Sequence, residues 1–344
     1  MRILMISDVY FPRVNGVSTS IQTFRRGLAT LGHEVDLIAP AYPARYAEYR
    51  HTLRVASRFI PLDPEDRMMK PGNVRALSRH FSRTQCNRMN ALIVPSSAMR
   101  DKLAEYGVRA PMHVIPTGIP MADLSGGDGA AFRARHGIGT DRPMLLFVGR
   151  VAHEKNIDFL LRALEQALVH IPGLLLTIAG EGPALVSLRK LAVKRNLQDH
   201  VLFVGYLDRR AALLDCYRSA DAFVFASRTE TQGLVLLEAM ALGVPVISTA
   251  VMGTRDVVGP GRGALVPEDN EADFARNIVK LMNDAALRAG LGVEGRVYAA
   301  EWNAGTLAGR LADAYREVIG TNGRISSELG RQAGNAVSPQ VVNR

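Results

Sequence analysis

Two carboxylates, Glu230 and Glu238, bracket the turn in FVFASRTETQGLVLLEAMALGVPVIST, residues 223–249. The apolar run Ala222 to Ala226 reads as a buried strand. A helix opens near Gln232 and Gly233 and ends at Gly243, which suits a left-handed cap; Pro245 bars continuation and starts the next strand. A polar loop at the carboxyl end of a parallel strand is where open α/β sheets receive ligands. The first N–H groups of the helix that follows are free to meet an anion.

Two more loops belong to the same edge. The strand Met144 to Val148 ends in GRVAHEKN, which carries Arg150 and Lys155, and the strand Leu174 to Ala179 ends in GEGP, with Gly180 and Gly182. Cations, a glycine turn and a helix N-terminus meeting there suit a diphosphate, leaving the carboxylates for hydroxyl groups. Each feature alone reads equally as a surface cation, a turn or a solvated acid. Their joint placement is what points to a nucleotide diphosphate.

Periodicity supplies the elements that position these residues. The chain opens with a strand, Arg2 to Ser7, a loop containing Asn15-Gly16, a helix from Val17 to Leu31 and a strand from His33 to Ala39. A strand near Leu53 to Ile60 follows, then a helix from Asn73 to Cys86, a strand Ala91 to Val94, a helix Ser97 to Tyr106 and a strand Met112 to Ile115. Leu124 to Gly129 is polar and glycine-rich and reads as a linker. Beyond it come strands at Met144 to Val148, Leu174 to Ala179, Val201 to Val204, Ala222 to Phe225 and Val244 to Ser248. Helices are expected between them near 156–170, 183–195, 209–219 and 233–242, then at 271–282, 284–300 and Ala304 to Ile319. This alternation makes two doubly wound α/β units.

The 344 residues suffice for two cores, and no apolar run is long enough to span a bilayer or to act as a signal peptide, so a cytoplasmic protein is expected. Cys86 and Cys216 are isolated and read as ordinary half-buried thiols. Residues 1–120 carry 17 Lys and Arg against 9 Asp and Glu, so an anionic partner of the first half or a merely solvated basic surface both fit. Arg75, Arg79 and Arg83 form a basic helical stripe, readable as a solvated face or as contact with an anionic membrane, peripheral on the cytoplasmic side. A nucleic-acid partner is not expected.

The chain resembles glycosyltransferase family 4. The residues carrying the likeness are GRVAHEK, GEGP at 180–183, FVGYL at 203–207, ETQGLVLLEAMALGVPVI, and NGV at 15–17 with GLATLGHEV at 27–35. The start SDVYFPRVNGVSTSI and the variant ETQGLV are similar to members that glycosylate lipids, such as diacylglycerol glucosyltransferases and related mannosyltransferases. The resemblance implies the GT-B fold, two Rossmann-like domains facing across a cleft. It divides the chain into an acceptor-side domain at 1–123, a nucleotide-sugar-binding domain at 130–300, a helix at 301–320 returning toward the first domain, and a disordered tail at 321–344.

By position, the resemblance puts Arg150 and Lys155 on the donor diphosphate and Glu238 on the ribose. Glu230, with the Gly233 and Leu234 amides, takes the sugar and phosphate. Tyr206 and Leu207 line the base pocket, and Gly16 meets the phosphate from the first domain. It implies hexose transfer from UDP-glucose, UDP-galactose or GDP-mannose to a lipid or glycan acceptor, with retention of anomeric configuration and neither cofactor nor metal. The chain contains no D-x-D signature.

One departure stands out. FIPLDPEDRMMKPGNVR runs almost directly into ALSRHFSRTQCNRMNALIVPSS, without the strand–helix–strand expected near 68–75. The missing strands would belong mid-sheet beside the first strand, reducing the acceptor domain. Two alternatives therefore stay open: a nucleotide-sugar-binding relic with little or no transferase activity, and a GT-B nucleotide-sugar epimerase.

Overall fold

The computed structural model describes residues 1–7, 10–11, 16–42, 51–55, 83–84, 86–208 and 211–335, the last fifteen by their backbone. The first half holds β1 (Arg2–Ile6), α1 (Gly16–Thr30), β2 (Glu34–Pro40), β3 (Thr52–Val55), β4 (Leu92–Val94), α2 (Ser97–Glu105) and β5 (Met112–Val114). Then follow α3 (Gly129–Arg135), β6 (Met144–Val148), α4 (Ile157–Leu168), β7 (Leu175–Ala179), α5 (Leu185–Lys194), β8 (Val201–Gly205), α6 (Ala212–Arg218) and β9 (Ala222–Phe225). The chain closes with α7 (Leu234–Ala241), β10 (Val246–Ser248), α8 (Thr254–Val258), β11 (Ala264–Leu265), α9 (Glu271–Asn283), α10 (Ala285–Glu301) and α11 (Ala304–Asn335).

The second half is one parallel sheet in the order β11-β10-β9-β6-β7-β8. Every residue of β6, β7, β9 and β10 is buried. Continuous apolar strands can be buried on both faces because crossover helices cover both. From β6 the chain winds outward through β7 and β8, then returns to lay β9, β10 and β11 on the other side. The strand order thus reverses between β6 and β9, where the loops leaving the two strands diverge and open a crevice.

Among the described residues the strands of the first half form a three-stranded sheet, β1-β2-β3, and a separate pair, β4-β5. Among the described residues no strand joins β1 to β4, and Leu4 and Ile6 of β1 are 58% and 74% exposed. A cleft of about 390 Å³ separates the two pieces, lined by Leu4, Met89, Ile93, Tyr315 and Ile319 among others. Residues 68–75, most of the Asn73 to Cys86 helix, Arg75 and Arg79 lie outside the described residues; Arg83 is exposed.

Helix α11 lies against α1. An added Cβ on Gly27 would sit 2.4 Å from the Ala308 Cβ, so the helices approach at a distance only glycine permits. Leu28, Val35, Ile115 and Leu311 make a buried apolar cluster that joins the first and last segments of the chain. The last helix runs past the expected boundary at residue 320 to Asn335. No proline interrupts it before Pro339, and its glycines each weaken a helix by only about 1 kcal/mol. The linker at 124–129 leads straight into α3, capped by Asp128, whose carboxylate accepts from the Ala131 amide at 2.9 Å.

Cys216 is fully buried rather than half-buried, and burial pushes its thiol up to about 12. An unfolded thiol ionises near about pH 8.5, so this group's contribution to stability is intact below that pH and is lost as pH rises toward 12. A thiol reagent at pH 8 should modify the half-buried Cys86 and spare Cys216 until the protein is unfolded. Equal labelling rates in the native protein, followed by peptide mapping, would contradict this burial.

Candidate active site

The crevice at the strand reversal is built by the loops after β6 and β9. The β6 loop ends in a short 3-10 turn, His153–Lys155, followed by Asn156 in the left-handed conformation. Asn156 fixes the turn by donating from Nδ2 to the Ala226 carbonyl at 3.1 Å. The Lys155 ammonium thereby reaches across the crevice and donates to Glu230 Oε1 at 2.5 Å. Both side chains are about four-fifths buried. The structure thus joins two residues far apart in the chain. Among the contacts of the described residues this uses one of the ammonium's three N–H groups.

Arg150 pairs with Glu154 within the same loop. Beyond the ion pair, Gly233 takes φ +88° immediately before α7, and no side chain caps that helix. Among the described residues the Gly233 and Leu234 amides show no partner and are available to an anion, whereas the Leu236 amide donates to the Gly233 carbonyl at 3.1 Å. Glu238, on α7, is only 6% exposed and accepts a hydrogen bond from the Tyr217 hydroxyl at 3.1 Å. A buried carboxylate needs such partners, and Tyr217 also fixes its direction.

Gly180 and Gly182 permit a close approach within the protein. A Cβ on Gly180 would stand 1.9 Å from the Gly149 carbonyl oxygen, and one on Gly182 would stand 2.5 Å from that of Val151. The close approach they permit is to the β6 loop. Val151 N–H donates to Glu181 O at 2.8 Å, and Ala184 N–H to Val151 O at 2.9 Å. The glycine turn is thus a bed on which the Arg150 loop rests. Leu207, after β8, packs against the core, while Tyr206 beside it is 60% exposed. With β7 and β6 lying between β8 and β9, these residues sit about 14 Å from the Glu230 end, at ~4.8 Å per strand.

Gly16 begins α1 in the first half, with open space where a side chain would be. Its helix is tied to the crevice through residues that periodicity did not single out. Ser20 and Thr117 hydroxyls are 2.7 Å apart, and Thr117 is gripped by the Gln232 side chain at both backbone groups. Arg25 was also missed. An arginine on an amphipathic helix reads as solvent-facing, yet it is buried, donating to the Tyr10 hydroxyl, Thr52 Oγ1 and the His51 carbonyl at 3.0–3.1 Å.

Comparison with known proteins identifies the class. Residues 128–297 match the model for glycosyl transferases group 1, and residues 14–85 and 69–123 match that for Glycosyltransferase Family 4. The chain belongs to glycosyltransferase family 4. Alpha-monoglucosyldiacylglycerol synthase of Streptococcus pneumoniae is 29% identical over 317 residues, covering 72% of this chain and 71% of that protein. A GDP-mannose-dependent alpha-(1-6)-phosphatidylinositol monomannoside mannosyltransferase of Mycobacterium tuberculosis is 33% identical over 234 residues. There 64% of this glycosyltransferase is covered but only 60% of the relative, less than two thirds of its length.

The fold is GT-B. Sucrose-phosphate synthase from Thermosynechococcus elongatus superposes with a TM-score of 0.78 at 22% identity, over 93% of this chain and 99% of that one. Anabaena HepE, solved in complex with UDP and glucose, superposes at 0.75 with 15% identity, over 92% and 100%.

The glycine bed gives a direct test. Gly180→Ala must push the β6 loop aside and strain a backbone at φ +140°, and is expected to lower stability by about 1–3 kcal/mol. Thermal unfolding of the variant measures it. A wild-type melting temperature would mean the two loops are not in contact.

Proposed function

We propose that this family 4 enzyme moves a hexose from a nucleotide-diphosphate sugar to a lipid or glycan acceptor, with retention of configuration and without a metal. The observation that carries the reading is the Lys155–Glu230 pair spanning the strand reversal, with the uncapped α7 N-terminus beside it. In the reaction the bond between the anomeric carbon and the diphosphate oxygen breaks, and negative charge gathers on the leaving diphosphate. Lys155, Arg150 and the Gly233 and Leu234 amides stabilise that charge, doing the work a divalent cation does in other transferases. Glu230 orients the sugar, Glu238 the ribose, and Tyr206 with Leu207 the base. The acceptor hydroxyl forms the new bond and releases its proton.

A lipid acceptor is favoured by the relatives, one an alpha-monoglucosyldiacylglycerol synthase and the other a phosphatidylinositol monomannoside mannosyltransferase, whose GDP-mannose dependence also favours a GDP-sugar. The HepE complex adds support for UDP. The first half's sheet, in two pieces among the described residues, favours one second reading, a nucleotide-sugar-binding protein that does not transfer.

Incubation with labelled UDP-glucose, UDP-galactose and GDP-mannose, with and without lipid extract, separates these readings. Sugar should appear in the lipid phase with one donor; donor binding with no transfer to any acceptor selects the second. Lys155→Ala should lower kcat by about 10²–10³ in that assay, the usual loss on removing one preorganised charge stabiliser. Near-wild-type turnover would overturn the assignment. Contact of the Arg75, Arg79 and Arg83 stripe with a membrane would show as sedimentation with anionic vesicles that weakens as salt rises. Salt-independent or absent sedimentation removes that contact.

A further inference from the structure

Gln232 sits between Glu230 and Gly233 yet points away from both, into the junction of the two halves. Its Oε1 accepts from the Thr117 amide at 2.8 Å, and its Nε2 donates to the Thr117 carbonyl at 2.7 Å. One carboxamide thus satisfies both backbone groups of one residue. Gln232 and Thr117 are each 5% exposed, so water does not compete for these bonds. Thr117 continues the connection through its hydroxyl, 2.7 Å from that of Ser20, one turn into the helix that begins at Gly16. On the other side, the Glu230 carbonyl accepts from the Gly253 amide at 2.9 Å and its carboxylate holds Lys155. A continuous bridge therefore runs from Ser20 through Thr117 and Gln232 to the loop carrying Glu230.

We propose that Gln232 is a positioning residue. Through the Thr117 backbone it sets the register between the helix starting at Gly16 and the loop that carries Glu230 and Gly233. The inference rests on the transferase reading above and deepens it. Donor-holding groups Lys155, Glu238, Tyr206 and Leu207 all belong to the second half and keep their mutual geometry whether or not the bridge is made. The contribution of the first half depends on it: Gly16, and the acceptor brought by that half, must arrive at a fixed place. A second tie supports this division. Asp256 accepts from both the amide (2.6 Å) and the hydroxyl of Ser97 at the start of α2, so the halves are also tied away from Gln232. The bond at Gln232 is the one adjoining the crevice.

The test uses Gln232→Met, similar in length but without the paired donor and acceptor, together with Ser20→Ala and the double variant. Gln232→Met should lower kcat about tenfold to a hundredfold, the scale of a misplaced reacting group, with donor affinity by calorimetry within about threefold of wild type. Hydrogen exchange at the Thr117 amide should accelerate. Ser20→Ala should lower kcat by less, again without loss of donor affinity. The double variant should be no worse than Gln232→Met, because the two changes cut one bridge. If Gln232→Met does not fold, Ser20→Ala alone carries the test by the same split.

Wild-type turnover in Gln232→Met, donor affinity falling in step with kcat, or additive effects would each overturn the inference while leaving the transferase reading intact. A wild-type protein that transfers no sugar from any of the three donors would overturn that reading, and this inference with it.

Discussion

The bond between Lys155 and Glu230 concentrates the logic of the molecule. It crosses the one place in the second sheet where strand order reverses, and each partner comes from a loop that only this topology makes adjacent. In isolation a lysine and a glutamate this deep are a poor source of stability, since withdrawing both from water costs much of what their attraction returns. Their value lies in direction. The lysine is held by an acid on one side, with further N–H groups for a second anion. The pair thus carries opposite charges to one edge of the crevice, where a donor's phosphate and its sugar hydroxyls would need opposite partners.

Around that pair the support comes from backbone and from neighbouring side chains. Asn156 pins the β6 loop to the end of β9, and Gly180 and Gly182 let the β7 loop lie beneath it. Tyr217 directs Glu238 from a neighbouring helix. None of these residues needs to touch a ligand, yet each limits where Lys155, Arg150 or Glu238 can be. Sites held by rigid strands and laced loops keep their geometry without waiting for the ligand.

Much of this was legible in the sequence, and for physical reasons. The doubly buried strands Met144–Val148 and Ala222–Phe225 announce themselves as apolar runs, and placing their loops on one edge brings Lys155 near Glu230. Less legible was anything settled by contacts between distant residues. GEGP indicates a close approach without naming what approaches. Arg25 and Cys216 have side chains compatible with either surface or core. Gln232 reads as one polar residue in a polar loop until Thr117 is beside it. The short helices α3 and α8 were hidden for another reason: five to seven residues complete too few turns for a period to emerge, although Asp128 signals the first.

The packing of α11 on α1 has a consequence for how the chain is made. Gly27 and Ala308 meet with no room for a larger residue, and Leu28, Val35 and Leu311 share one apolar cluster. On a ribosome α1 emerges well before α11, and closing so long a loop is slow compared with forming the second half's own sheet. The second half can therefore reach its fold while the first half, its sheet in two pieces among the described residues, waits for α11. The half that is made earlier is completed later.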